Sequence, residues 1–389
     1  MIGYNFNDIK TNNRYEIIQM IYQCTDVNRN FITQRTGLTN AAVTKIIDSL
    51  IKEQFISEKD YFSNFRDRKA RYLAICEGSF GVINLYLGRS LIVASIADIC
   101  GKIIYSQKYL INFRMIDDTI LSEIASETIR HFPESLSCLG CVVISPGIRS
   151  VQENDDHARK SEAPYFWNLK KLNDIVSDKY HIPLFTDNDS NAALLGEKWF
   201  GKGRDTNNFV LYSIGIGIGS AVCIQGKLQR GYHNSAIEIG HVTINFEGPD
   251  CDCGNKGCLE LYISTDRWEQ KLAAQNAYPG QKNKMEAMFS NALRGENASR
   301  ELLNQYIHMV AVGAVTLTSL FSPEKLIITT NEAEYIYLSP FIQTIKKELE
   351  TRIFSTRREE ILVEESDLRQ TGVILGGIAI AIEKTLFPP

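Results

Sequence analysis

The sequence predicts an α/β protein fronted by a winged helix-turn-helix. Two observations carry that prediction. From Gly81 onward, short apolar runs alternate with helical stretches, the pattern of sheets covered by helices. Ahead of Gly81, residues 13–75 hold three helical stretches and a basic hairpin. A third feature, His241 with Cys251, Cys253 and Cys258, adds a loop pinned by a metal.

In the front end, Arg14 to Gln23 places Ile17, Ile18 and Ile21 at helical spacing, and Phe31 to Arg35 is a short second helix. Thr36-Gly37-Leu38 makes a turn. Thr39 is a good N-cap for a third helix, with Val43, Ile46, Ile47, Leu50 and Ile51 on one face. The other face shows Asn40, Thr44, Lys45 and Asp48. The helix after such a turn presents its N-terminal residues to base edges, so Thr39, Asn40, Thr44 and Lys45 are candidate DNA contacts. Phe55 to Glu58 and Tyr72 to Ile75 read as strands flanking Arg66-Asp67-Arg68-Lys69-Ala70-Arg71. In this wing Arg66, Arg68, Lys69 and Arg71 would grip phosphates or enter a minor groove. Residues 1–75 hold eleven Lys and Arg against eight Asp and Glu, a net of +3 in a chain of −4. Positive charge is thus concentrated where phosphate contacts require it, and the chain as a whole is no generic polyanion binder.

Next, Val82 to Leu87 and Leu91 to Ile96 pair as strands joined at Gly88, and Ile103 to Leu110 is a third. A helix covers Ile116 to Phe132. Cys141 to Ile144 is a buried strand ending at Ser145-Pro146-Gly147, and the C-x-x-C pair Cys138 and Cys141 serves that core rather than redox chemistry. Pro183 to Phe185 is a strand closing on Thr186-Asp187-Asn188-Asp189, before a helix over Asn191 to Phe200. Val210 to Ile214 and Gly219 to Gln225 form a hairpin around a glycine-rich turn. Arg300 to Phe321 is a long helix, and Lys325 to Thr329 a buried strand. Such architectures bind ligands at the carboxyl ends of their strands.

The three thiols have C-x-C-x4-C spacing and lie with His241 in eighteen residues. Gly254 and Gly257 let the loop fold tightly enough to turn the sulfurs inward. A closed Cys₃His set suits one structural Zn²⁺ per chain. Nine cysteines, an odd number without a secretion signal, fit a reducing cytoplasm better than a disulfide framework. No apolar run of membrane-spanning length or apolar leader is found, so neither a membrane partner nor a signal peptide is expected.

These residues resemble the ROK family of repressors, open reading frames and sugar kinases. The resemblance rests on the Gly-rich hairpin ending at Gly219, Gly226-Lys227-Leu228 and Glu238-Ile239-Gly240-His241. It extends to the cysteine loop with Leu259-Glu260, and to Asn188-Asp189 before a helix with Ala192, Ala193, Gly196 and Glu197. The helix-turn-helix matches the regulator branch. The resemblance implies a two-lobed actin-like ATPase (ribonuclease H-like) fold with a sugar in the cleft. The expected division is a DNA-binding unit over 1–76, a first lobe over 77–196 completed by a C-terminal helix over about 373–389, and a second lobe over 197–372 with the zinc site. Asn188, Asp189, Glu238 and Glu260 would hold sugar hydroxyls, Gly147 would let a loop approach the sugar, and His241 would face both metal and sugar. Carboxylates suit this task because each accepts charge-assisted bonds from two vicinal hydroxyls. Read without the family, Asp189 is equally an N-cap of the helix that follows.

Three elements depart from the kinases of that family. Their Asp-x-Gly-x-Thr phosphate loop is here Tyr86-Leu87-Gly88-Arg89-Ser90, their Gly-Thr-Gly is Gly215-Ile216-Gly217, and their later glycine pair is Thr329-Thr330-Asn331. Altered at Tyr86, Ile216 and Thr329, the chain is expected not to be an enzyme, with Asp189 the vestige of a catalytic base. The expectation is a cytoplasmic regulator, a repressor of carbohydrate metabolism. Its partners would be a double-stranded DNA operator and a sugar or sugar derivative, and it would be a homodimer or tetramer. The alternatives are an ATP-dependent sugar kinase with an appended DNA-binding domain, and a regulator that answers to a protein.

Overall fold

The computed structural model describes residues 6–60, 71–110, 117–146, 169–231, 237–330, 337–352 and 361–387. Its front end is three helices and a hairpin: α1 (Phe6–Gln23), α2 (Arg29–Thr36), α3 (Asn40–Lys52), β1 (Ile56–Asp60) and β2 (Arg71–Ile75). Asn28 and Thr39 cap α2 and α3, accepting from Phe31 N and Ala42 N. Gly37 takes the left-handed conformation that ends α2 and opens the turn. Ile17, Ile18, Ile32, Val43, Ile47 and Leu50 close the core. The first helix begins earlier than the apolar spacing predicts, because its opening turns carry no isoleucine stripe. The wing strands pair antiparallel, with Ile56 opposite Ile75 and Asp60 opposite Arg71.

The first large sheet follows with β3 (Phe80–Leu87), β4 (Ile92–Asp98) and β5 (Ile103–Tyr109). Next come α4 (Asp118–Arg130), β6 (Ser137–Ser145) and α5 (Lys170–Asn173), which runs into a π-helical turn, Asp174–Lys179. Then come β7 (Leu184–Asn188) and α6 (Asp189–Phe200). The second large sheet begins with β8 (Phe209–Ile214), β9 (Ile218–Ile224) and β10 (Lys227–Leu228), and a 3-10 turn follows at Ile239–His241. The chain continues with α7 (Glu260–Ile263), α8 (Thr265–Ala274), α9 (Lys284–Leu293), α10 (Asn297–Phe321), β11 (Lys325–Thr329), α11 (Leu338–Arg352), β12 (Leu362–Glu365) and α12 (Thr371–Leu386).

The two sheets have orders β5-β4-β3-β6-β7 and β10-β9-β8-β11-β12. Each is an antiparallel meander extended by two parallel strands. This is the two-lobed α/β fold, with the winged unit in front. α6 is buried from Ser190 to Trp199 and packs with α12 between the sheets. A Cβ on Gly376 would overlap the carbonyl of Ala192, and one on Gly196 that of Gly372, so the two helices cross backbone to backbone. The ionisable groups that α6 buries are hydrogen-bonded. Lys198 donates to Thr206 O at 2.7 Å, and Glu197 accepts from Ser366 and from Lys202 N.

The front end rests on this pair. Tyr22 packs at a tilt on Trp199 with centroids 4.9 Å apart and donates to Ile99 O at 2.6 Å. Tyr15 donates to Glu383 of α12 at 2.6 Å. Cys141 is buried in β6, and all nine cysteines are free thiols. No helix among the described residues is long and apolar enough to cross a membrane.

Candidate functional site

The chain reversal between β9 and α7 builds the metal-binding candidate. His241 ends the 3-10 turn, and two short bridges, Thr243 with Cys258 and Asp250 with Lys256, fold the loop back on itself. Gly254 and Gly257 have φ of 88° and 59°, and a Cβ on Gly257 would overlap Asn245 O. The candidate ligand atoms of His241, Cys251, Cys253 and Cys258 all lie within 4.8 Å of one another. His241 Nδ1 is 3.7 Å from Cys251 Sγ, and Cys253 Sγ is 3.7 Å from Cys258 Sγ. Bonds of about 2.3 Å from one ion to sulfur and 2.0 Å to nitrogen give tetrahedral edges of that size. Burial holds the Cys251 and Cys258 thiols above their usual range, and a cation placed among them would favour their thiolates. The cluster can hold a metal ion, and Nδ1 is the ring nitrogen on its sulfur side.

Glu260 and the neighbours of Asp189 and His241 meet around the first two residues of β9. Ser190, one step into α6, lies against Gly219, where a Cβ would overlap its hydroxyl. Ile218 N donates to Glu260 Oε2 at 3.0 Å. Gly240, beside His241, packs on Ile218 O. Glu260 and the immediate neighbours of Asp189 and His241 therefore come from three chain segments onto one hub. Glu238 flanks the same 3-10 turn and is exposed. Gly147 lies outside the described residues.

The cap assignment needs correcting. Asn188, not Asp189, is the N-cap of α6, accepting from Ser190 N at 2.8 Å and Asn191 N at 3.3 Å. Its carboxamide oxygen is thus spent on the helix, which leaves its nitrogen as the group for a ligand. Asp189 is the first helical residue and accepts from Ser190 N at 2.7 Å.

Three side chains at this site were not assigned from the sequence. Asp187 is buried, pairs with Arg230 and accepts from Asn191 Nδ2 at 3.0 Å. Arg89, in the β3–β4 turn, forks onto Glu260 at 3.2 Å and donates to Ile216 O at 3.3 Å. A signal for Arg89 existed: a cation stands in the turn that replaces the kinase phosphate loop, at a position the kinase pattern leaves open. Tyr86 is buried in β3, and Thr329 is buried at the end of β11.

At the front end Thr39, Asn40, Thr44 and Lys45 are all exposed on one face of α3. Thr39 also serves as the cap, and Asn40 Oδ1 accepts from Thr33 Oγ1 at 3.0 Å, which joins α2 to α3. Arg71 pairs with Glu58 at 3.3 Å and Asp60 at 3.5 Å, so part of its charge is answered within the hairpin. Arg66, Arg68 and Lys69 lie outside the described residues.

A model of the ROK family matches residues 82–384. The xylose repressor of Caldicellulosiruptor bescii is 27% identical over 400 residues, covering 99% of each chain. Among solved structures, a ROK family transcriptional regulator described as a homologue of the E. coli MLC protein superposes with a TM-score of 0.77. It is 23% identical over 97% of this chain and 98% of its own. A ROK family glucokinase from Streptomyces griseus, in complex with glucose and AMPPNP, is also 23% identical with a TM-score of 0.64. It covers 99% of its own chain but 78% of this one.

Proposed function

The chain belongs to the ROK family, and on that premise we propose that it is a sugar-responsive transcriptional repressor. The observation that carries this reading is the fusion of a winged helix-turn-helix to two lobes whose β9 start gathers Glu260 and the neighbours of Asp189 and His241. A relative named xylose repressor matches front end and cleft together, which supports the same assignment.

In this reading the cleft takes a sugar or sugar derivative through Asn188, Asp189, Glu238, His241 and Glu260, with Gly147 on an approaching loop. His241, Cys251, Cys253 and Cys258 hold one structural Zn²⁺. Binding through Nδ1 fixes the imidazole tautomer and turns Nε2 toward the ligand. The α3 face of Thr39, Asn40, Thr44 and Lys45 reads bases, while Arg66, Arg68, Lys69 and Arg71 meet phosphates. The operator is double-stranded DNA read by a dimer or tetramer in the cytoplasm. The unit boundaries are 1–76, 77–196 with α12, and 197–372. Phosphoryl transfer has been lost through the changes at Tyr86, Ile216 and Thr329, leaving Asp189 a hydroxyl ligand rather than a base.

The sugar acts by population shift. α6 starts at the sugar ligands and ends on Tyr22 of the front end, so a shift of lobe arrangement at one end is felt at the other. A tenfold difference in DNA affinity between the two states corresponds to about 1.4 kcal/mol of coupling.

The test uses duplexes selected from random sequence by the full chain. Fluorescence anisotropy should show one class of sugar releasing the selected duplex, with no ADP formed from ATP and that sugar in a coupled assay. Turnover that Asp189→Asn abolishes would establish a kinase instead.

A further inference from the structure

Arg89 ties the β3–β4 turn of one lobe to the β8–β9 turn of the other. Its Nη1 donates to Glu260 Oε1 at 3.2 Å and to Ile216 O at 3.3 Å, and its Nη2 donates to both Glu260 oxygens at 3.2 Å. Ile218 N adds a donor to Oε2 at 3.0 Å. An ionised carboxylate offers about four lone-pair sites. Three guanidinium bonds and one amide bond take them all. A sugar hydroxyl arriving at Glu260 therefore finds no acceptor left.

We propose that Arg89 is an internal latch that masks Glu260, so that a sugar binds only by taking this carboxylate from the guanidinium. The proposal rests on Glu260 being a sugar ligand, as in the reading above. The pair is shielded, with side-chain exposures of 22% for Arg89 and 15% for Glu260, so salt screens it less than a surface pair. A guanidinium–carboxylate bond is also stronger than a hydroxyl–carboxylate bond. Exchange at Glu260 alone is thus uphill, and the sugar must recover the difference at Asp189 and His241. A small neutral molecule with one or two hydroxyls could not do so, which makes the latch a filter for polyols that reach several ligands at once.

The latch also couples occupancy to shape. The guanidinium that leaves Glu260 is the one that holds Ile216 O, so the exchange loosens one turn from the other. Gly217 permits the arrangement. A Cβ there would stand 3.0 Å from Arg89 Nη2 and press the guanidinium off the turn.

A latch closed about nine-tenths of the time lowers apparent sugar affinity about tenfold. Titration calorimetry with neutral pentoses and hexoses should therefore show Arg89→Ala and Arg89→Gln binding the effector about tenfold tighter than the natural chain. Arg89→Lys should lie between, because an ammonium keeps the charge without the fork. Hydrogen exchange without sugar should be several-fold faster over residues 214–219 in Arg89→Gln. Equal or weaker sugar binding in Arg89→Gln would overturn the latch. If no form of the chain binds a sugar, the sugar reading falls, and exchange judges the clamp alone: faster exchange keeps it and unchanged exchange removes it.

Discussion

The two lobes repeat one strand plan and use it for different ends. Both sheets run as a meander extended by two parallel strands, and in both the turn between the meander's first two strands faces the cleft. In the first lobe that turn carries Arg89. In the second it is the glycine-rich run Gly215-Ile216-Gly217, whose backbone receives the guanidinium. The first sheet buries apolar side chains on both faces and, through α6 and α12, supports the front end. The second buries a core of its own and carries the cysteine loop. Backbone topology is shared, and function separates in a few side chains at the turns and the helix ends.

Metal removal should break the comparison most strongly. If the cysteine loop is a metal centre, Cys258→Ser loses about one ion per chain by elemental analysis. It should also destabilise the second lobe by about 4 kcal/mol wherever the metal stands a thousandfold above its Kd. Exchange protection in the first sheet should hardly change, since its core is separate. Equal metal content in the variant and the natural chain would remove the centre.

The next effect belongs to the first lobe. Gly376→Ala forces a Cβ into the Ala192 carbonyl and should cost roughly 3 kcal/mol in denaturant melts. Its counterpart in the second lobe, Gly254→Ala, meets open space and pays only for a left-handed backbone, about 1 kcal/mol. Equal costs would mean that the α6–α12 crossing is looser than its geometry.

A smaller effect is expected where the front end joins the first lobe. Tyr15→Phe leaves Glu383 without its phenol donor and should cost about 2 kcal/mol. Burial raises the Glu383 carboxyl above its ordinary value, and the Tyr15 bond opposes that rise. A carboxyl raised on folding favours the native state in acid, and the benefit is lost as pH climbs through its folded value. The Tyr15→Phe melt should therefore fall more steeply from acid to neutral pH than that of the natural chain. Parallel curves would place Glu383 outside the linkage.

The smallest effect concerns the wing. Arg71 already answers Glu58 and Asp60, so Arg71→Ala should lower the salt slope of DNA binding by less than the unit or so expected of an unencumbered phosphate contact. A full unit would show that the hairpin releases Arg71 to the duplex.

Much of this molecule could be read from residue order alone. Apolar spacing marked α3, β3, β6, β8 and β11 because each buries one face or both, and the cysteine spacing marked a loop able to hold a metal because its candidate ligands are close in sequence. α6 starts earlier than predicted because the Asn188 cap rather than a stripe sets its boundary, and α1 starts ahead of its isoleucine stripe. Asn188, a candidate ligand by sequence, also caps α6 through its carboxamide oxygen, which no local spacing announces.

Residue types and their local spacing, then, determined the family, the order of elements, the Cys₃His set and the acidic character of the cleft. Those features depend on neighbours a few positions away. Only the folded chain decided that Arg89 meets Glu260 across 171 positions, that Tyr15 meets Glu383 across 368, and that α6 joins cleft to front end. The physical reason is that such pairs depend on how two sheets and two crossing helices pack, and no local periodicity encodes the distance between elements brought together by burial.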